Sequence, residues 1–219
     1  MRHIALFDLD GTLTDPAEGI INAVQYALAR YGIHGTPRES LLYFIGPPLA
    51  ESFAAFLGCD AAEAQHAVEI YREYFADKGL FENTLLPGAA EMVQAVRNTG
   101  YETAVASSKP EVFVRRITDH FGITDLFDCI TGSRLDGSLV KKNDVIAETL
   151  RRMQAAPEDD IVMVGDREHD VIGAHKCGYT AVGVLCGYGS RAELETAGAE
   201  YIADDCKAAA KVLIARLNA

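Results

Sequence analysis

Apolar and polar residues alternate along this chain in two rhythms. Short apolar runs at 4–7, 103–106, 129–131, 161–164 and 181–185 suit strands buried on both faces, as in a parallel sheet. Segments near 88–99, 111–120, 143–155 and 168–176 carry apolar residues at helical spacing. Strands and helices taken in turn predict an α/β fold, a doubly wound (Rossmann-like) parallel sheet. A weaker apolar strip at 201–203 adds an edge strand, and 207–218 reads as a closing helix. No repeat or low-complexity tract interrupts the pattern.

One stretch departs from it. Between about 15 and 86 only helical spacing is present. Asp15-Pro16-Ala17-Glu18 combines an N-cap, a proline at the first helical position and a glutamate in the first turn. Ile20, Ile21, Val24, Leu28 and Tyr31 follow at helical intervals, and Gly32 is a stop. Thr36-Pro37-Arg38-Glu39 repeats the start signal. Gly46-Pro47-Pro48 is a loop, since consecutive prolines exclude helix. A short helix over 49–57 with Gly58 as its cap, and another from Asp60 to near Gly79, complete a helical bundle. The expected division is therefore 1–14 and 87–219 as an α/β core, with 15–86 as an all-helical insert. An insert directly after a strand end is expected to act as a lid over it, where lids exclude water and read the variable part of a ligand.

Composition narrows the class. The chain has 219 residues and is 49% hydrophobic, enough for a substantial core. No apolar run approaches the ~20 residues of a membrane span, and no secretory leader is visible, so a cytoplasmic location is expected. Five scattered cysteines form no C-x-x-C pair, which argues for reduced, mostly buried thiols rather than zinc or disulfides. A net charge of −12 argues against nucleic acid and anionic membrane as partners. It also means that a phosphate-bearing ligand must be neutralised locally.

The candidate chemistry lies at strand ends. The first run is followed by Asp8-Leu9-Asp10-Gly11-Thr12. Two carboxylates one residue apart repel unless a cation or a proton lies between them. An EF-hand calcium loop would follow a helix and needs further acidic positions, whereas 12 and 14 are threonines. The run at 161–164 ends in Gly165-Asp166-Arg167-Glu168-His169-Asp170. If these strands are neighbours, Asp166 joins Asp8 and Asp10, and three carboxylates call for a hard cation such as Mg²⁺. A third strand end carries Ser107-Ser108-Lys109-Pro110. Taken alone, the serines suit helix capping; at a strand end they also suit a phosphate. Lys141-Lys142 precede a helix at 144–150, where a positive charge opposes the macrodipole. His169 reads as a helix-turn residue rather than a metal ligand. Lys109 is open between a phosphate contact and a solvated helix start, and Gly46-Pro47-Pro48 between a substrate-reading loop and a plain connector.

Together these segments resemble the haloacid dehalogenase superfamily of hydrolases. Asp8-Leu9-Asp10-Gly11-Thr12 is similar to its D-x-D-G-T motif, Ser107 to its second motif, Lys142 (less well Lys141) to its lysine, and Gly165-Asp166 with Asp170 to G-D-x-x-x-D. The insert resembles the family's type-1 cap, and Pro87-Gly88 with Ser108-Lys109-Pro110 its phosphoglycolate-phosphatase-like branch. The resemblance implies a phosphatase with Asp8 as nucleophile and Asp10 as general acid and base. It implies Mg²⁺ on Asp8, Asp10 (through its carbonyl) and Asp166, with Asp170 behind them or on the lysine. Ser107, Ser108, Lys142 and backbone N–H groups at Leu9 and Gly11 would hold the phosphoryl oxygens. Family dehalogenases and phosphonate hydrolases lack the second aspartate, so Asp10 implies an alkoxide leaving group. The implied partner is a small phosphorylated metabolite: phosphoglycolate, a nucleoside monophosphate or a sugar phosphate. A sugar phosphomutase is the alternative within the family. A signalling receiver also phosphorylates an aspartate beside Mg²⁺, but that aspartate follows a later strand and no helical insert follows the first. A catalytically dead binding module fits less well, since every motif position carries a competent residue. Monomer and dimer are equally compatible with the pattern.

Overall fold

The computed structural model describes residues 1–217. The chain forms two compact units, one of Met1–Thr14 with the chain from Leu85 onward, the other of Asp15–Thr84.

The first unit opens with β1 (His3–Phe7), and β2 (Thr14–Asp15) spans the boundary between the units. The helical unit, with α1 (Ala17–Arg30), α2 (Leu49–Leu57) and α3 (Ala61–Tyr74), comes next. The chain returns through β3 (Thr84–Leu85), which pairs with β2. Then follow α4 (Ala89–Arg97), β4 (Glu102–Pro110), α5 (Glu111–His120), β5 (Cys129–Ser133) and α6 (Lys142–Arg152). The chain ends with β6 (Asp160–Gly165), α7 (Glu168–Lys176), β7 (Thr180–Val184), α8 (Arg191–Ala197), β8 (Tyr201–Ala203) and α9 (Cys206–Arg216). Position 218, the last of the expected closing helix, lies outside the described residues.

The main sheet is parallel, in the order β5-β4-β1-β6-β7-β8. Strand β1 lies inside it, with Phe7 opposite both Val105 and Val164. Ile4, Ala5, Leu6 and Phe7 are therefore fully buried. The large ones stabilise the fold by roughly 1.5–3 kcal/mol each. The connections run to one side of β1 first (β4, β5) and then to the other (β6, β7, β8). That reversal makes a topological switch point, where the carboxyl ends of adjoining strands splay apart and open a crevice.

Four local differences from the expected elements have physical causes. Strand β4 continues to Pro110, because pairing with β5 resumes at Pro110 opposite Ser133 after a register break beyond Ser107. Ser107 and Ser108 therefore lie on the strand and do not cap α5. Helix α6 starts at Lys142 and stops at Arg152, where Gln154 turns the chain with φ of 52°. Helix α1 starts one residue late, with Pro16 as cap residue and Asp15 Oδ1 accepting from the Ala17 N–H at 3.0 Å. Helix α8 was not expected. It is short, but Ser190 caps it by accepting from the Glu193 N–H at 3.1 Å, an S-x-x-E signal present in the sequence.

The helical unit has its own core. Phe44, Phe53, Tyr71 and Phe75 are buried in a chain of ring contacts, with centroids 4.9, 6.3 and 5.1 Å apart in that order. Residues Arg38–Phe44 form a 3₁₀ helix rather than an α-helix, and Gly58 ends α2 in the left-handed conformation. A π-helical turn, Phe75–Gly79, extends α3.

Candidate active site

Strands β1, β4, β6 and β7 run the same way, so the residues after them gather at one edge of the sheet. The Asp8 N–H donates to the Val164 carbonyl at 2.9 Å, which locks the end of β1 to β6. Beyond that bond the chain turns sharply, with the Leu9 carbonyl accepting from the N–H groups of Thr12, Leu13 and Thr14. Gly11 takes φ of +79°, and a Cβ there would overlap the Asp166 carboxylate. The glycine is required twice, for its conformation and for clearance. Its N–H donates to the Thr14 carbonyl at 2.7 Å, so it is already engaged and is withdrawn from the phosphate-binding groups.

Asp8, Asp166 and Asp170 each place a carboxylate oxygen within 4.8 Å of the others, and all three are buried. The side chain of Asp10 is not in this group. Lys142, the first residue of α6, sends its ammonium between Asp8 Oδ1 (2.9 Å) and Asp170 Oδ1 (2.8 Å), and it donates to the Ala106 carbonyl at 3.0 Å. The ammonium thus lies at ion-pair distance from two carboxylates and donates to one carbonyl. Burial opposes its charge, but the carboxylates of Asp170 and Asp8 outweigh burial and raise its pKa. Lys141 is exposed, so the two adjacent lysines have separate environments.

Burial pushes the Asp166 carboxyl well above its ordinary range, and the neighbouring Asp170 and Asp8 charges add to it. The Tyr188 N–H, 2.8 Å from Asp166 Oδ2, works the other way. Burial also raises Asp170, partly offset by Lys142. Asp170 Oδ2 accepts from the Arg167 N–H at 3.1 Å, which ties it to the start of α7. Burial raises Asp10, against the opposing charge of Lys109. Asp10 Oδ2 meets Lys109 Nζ at 2.5 Å, while its buried Oδ1 has no hydrogen-bond partner among the described residues. Ser107 is buried and its Oγ accepts from the Lys109 N–H at 3.3 Å; Ser108 is half-buried. His169 is exposed and outside the acidic group.

Carboxylate oxygens alone make up this donor set, which suits a hard divalent cation and not zinc or copper. Such a cation also explains why three acids share a buried space with one lysine. The five thiols are free, four of them half-buried and Cys206 buried, and none belongs to the acidic group.

One part of the site was missed from sequence. Residues 186–189, after β7, close on Asp166 through the Tyr188 N–H, and a Cβ at Gly187 would overlap the Asp166 carboxylate and the Gly11 carbonyl. The signal was available: Gly187-Tyr188-Gly189 follows a buried strand in the same sheet. We expect Gly187→Ala to weaken divalent-cation binding roughly 10- to 100-fold, as loss of a ligand's supporting contact does. Titration calorimetry with Mg²⁺ checks this; unchanged affinity would show that the loop does not support Asp166.

A family profile described as haloacid dehalogenase-like hydrolase matches residues 5–184. A 5'-nucleotidase of Pseudomonas aeruginosa is 44% identical over 208 residues, covering 95% of this chain and 94% of that one. The tyrosine-protein kinase PtkA of Mycobacterium tuberculosis is 40% identical over 188 residues, covering 85% of this chain and 63% of its own length. Among solved structures, a predicted phosphatase from Clostridium acetobutylicum superposes with a TM-score of 0.94 at 41% identity, covering 98% of this chain and 99% of that one. No helix among the described residues is long and apolar enough to cross a membrane.

Proposed function

The chain belongs to the haloacid dehalogenase-like hydrolase family and is a phosphatase of that family; from that premise we propose that it hydrolyses nucleoside 5'-monophosphates through an aspartyl-phosphate on Asp8, with Mg²⁺ as cofactor. One observation carries this reading. The Lys142 ammonium holds Asp8 against Asp170 at the end of β1, with Asp166 beside them.

Asp8, the Asp10 carbonyl and Asp166 would hold Mg²⁺, which when bound supplies positive charge to the phosphoryl oxygens and relieves the repulsion among the acids. Lys142 orients Asp8. Asp8 Oδ attacks phosphorus while the bond to the leaving alkoxide breaks, and Asp10 gives that oxygen a proton. Asp10 then takes a proton from water, whose oxygen attacks phosphorus and releases phosphate and the Asp8 carboxylate. Ser107, Ser108 and the N–H group at Leu9 bind phosphoryl oxygens. Asp170 acts behind the metal ligands by holding Lys142. Gly11 serves through its shape.

The 5'-nucleotide is favoured over phosphoglycolate and sugar phosphates by the name of the Pseudomonas aeruginosa relative. The segment Asp15–Thr84 departs one residue after the carboxylate loop ends and rejoins at Leu85. We assign to it the role of a cap that selects the leaving alcohol. A cytoplasmic enzyme fits the five free thiols.

A panel of nucleoside 5'-monophosphates, phosphoglycolate and sugar phosphates tests this reading. We expect free phosphate, with the highest kcat/KM for a 5'-nucleotide. A sugar-phosphate isomer formed without free phosphate would make the protein a mutase. Hydrolysis confined to phosphoglycolate would remove the nucleotide assignment.

A further inference from the structure

Lys109 and Asp10 form a second buried ion pair. Nζ meets Oδ2 at 2.5 Å, and the two side chains are 7% and 13% exposed. Stability does not explain it, because burying two charges costs about as much as their attraction returns, and apolar residues of similar size serve a core equally well. Lys142 has other partners: its ammonium lies 2.9 Å from Asp8 Oδ1 and 2.8 Å from Asp170 Oδ1 and donates to the Ala106 carbonyl.

The backbone is shaped to deliver Lys109. Strand β4 stays paired with β5 through Ser107, loses register, and pairs again at Pro110. Ser108 and Lys109 occupy the irregular step, and Ser107 Oγ accepts the Lys109 N–H at 3.3 Å. Bulges of this kind re-aim a side chain at an active site. The aim here is a single oxygen of Asp10. The other, Oδ1, is buried and has no hydrogen-bond partner among the described residues.

We propose that Lys109 is the positioning residue for the general acid: it grips Asp10 by Oδ2 and so presents Oδ1 as the oxygen that passes a proton to the leaving group. The proposal rests on the assignment of Asp10 made above. As the phosphorus–oxygen bond to the alcohol breaks and the bond to Asp8 forms, the proton on Oδ1 moves to the departing oxygen. Without Lys109 the carboxyl is free to rotate, and fewer of its orientations allow the transfer. A leaving group that is stable as an anion has little use for that proton. The effect of Lys109 therefore scales with the basicity of the leaving group, which mere binding of substrate phosphate would not do.

The test compares an alkyl phosphate with 2,4-dinitrophenyl phosphate in the full-length protein with Mg²⁺. The readout is kcat/KM, which covers the steps through phosphoryl transfer to Asp8. We expect Lys109→Met to lose at least about tenfold more on the alkyl ester than on the dinitrophenyl ester, a fraction of what general acids contribute. Lys109→Arg should recover part of that difference, and Lys109→Gln repeats the comparison should the methionine variant fold poorly. Equal losses on both esters would make Lys109 a substrate contact and overturn the proposal. No loss on either would overturn it too. A wild-type protein that hydrolyses neither ester would strike instead at the phosphatase reading itself.

Discussion

Asp8→Asn should lower phosphate release by at least about 10⁴-fold, the scale on which losing a catalytic nucleophile acts. The amide fills the same volume but cannot attack phosphorus or carry the phosphoryl group. The fold should survive, because Lys142 keeps Asp170 and the Ala106 carbonyl as partners. One negative charge also leaves a buried acidic group, which favours folding. Steady-state phosphate release together with a thermal melt separates lost chemistry from lost structure. Quenched wild-type protein should carry one phosphoryl group on the peptide holding Asp8. Turnover retained by a folded Asp8→Asn protein would end the proposed mechanism.

Removing the metal should bring turnover down to background, and adding Mg²⁺ should bring it back. Three buried carboxylates share the site with one lysine, so their excess charge is uncompensated without a cation. Stability should follow in the same direction. Burial, together with the neighbouring acids, raises Asp166 and Asp170 above the ordinary carboxylate range. Acids raised in this way favour the folded state most below their unfolded pKa. That contribution is lost as pH rises through the folded value. Mg²⁺ binding takes the place of the protons that otherwise neutralise these acids. Binding should then add about 2.7 kcal/mol at a free Mg²⁺ concentration roughly 100 times its Kd. The rise in melting temperature caused by Mg²⁺ should be larger near neutral pH than at about pH 5, where protons compete. A metal effect that is equal at both pH values, or turnover that survives a chelator, would contradict a site built on these acids.

Much of this was legible in the residues. A run such as 4–7, apolar at every position, suits a strand buried on both faces, as in a parallel sheet, and β1 lies inside one. The D-x-D-G-T and G-D-x-x-x-D strings are short-range patterns with the turn chemistry written into them, as Gly11 shows. Helix starts carrying an Asp or Ser cap could be read as well, though α8 was passed over despite Ser190 and Glu193.

What remained hidden depends on neighbours far away in sequence. The motif match favours Lys142 over the adjacent Lys141, but only packing buries the one beside Asp8 and leaves the other in solvent. The sequence leaves Lys109 open between a phosphate contact and a helix start; pairing with β5 carries β4 on to Pro110 and sets that lysine on Asp10. The support that Tyr188 gives Asp166 spans 22 residues and two strands. Local sequence set the elements, their turns and the stock of acids, because those follow from nearest-neighbour sterics and hydrophobic spacing. The partner of each charge followed from strand order and register, since a buried ion needs its counter-ion within a few ångströms and only the folded sheet brings it there.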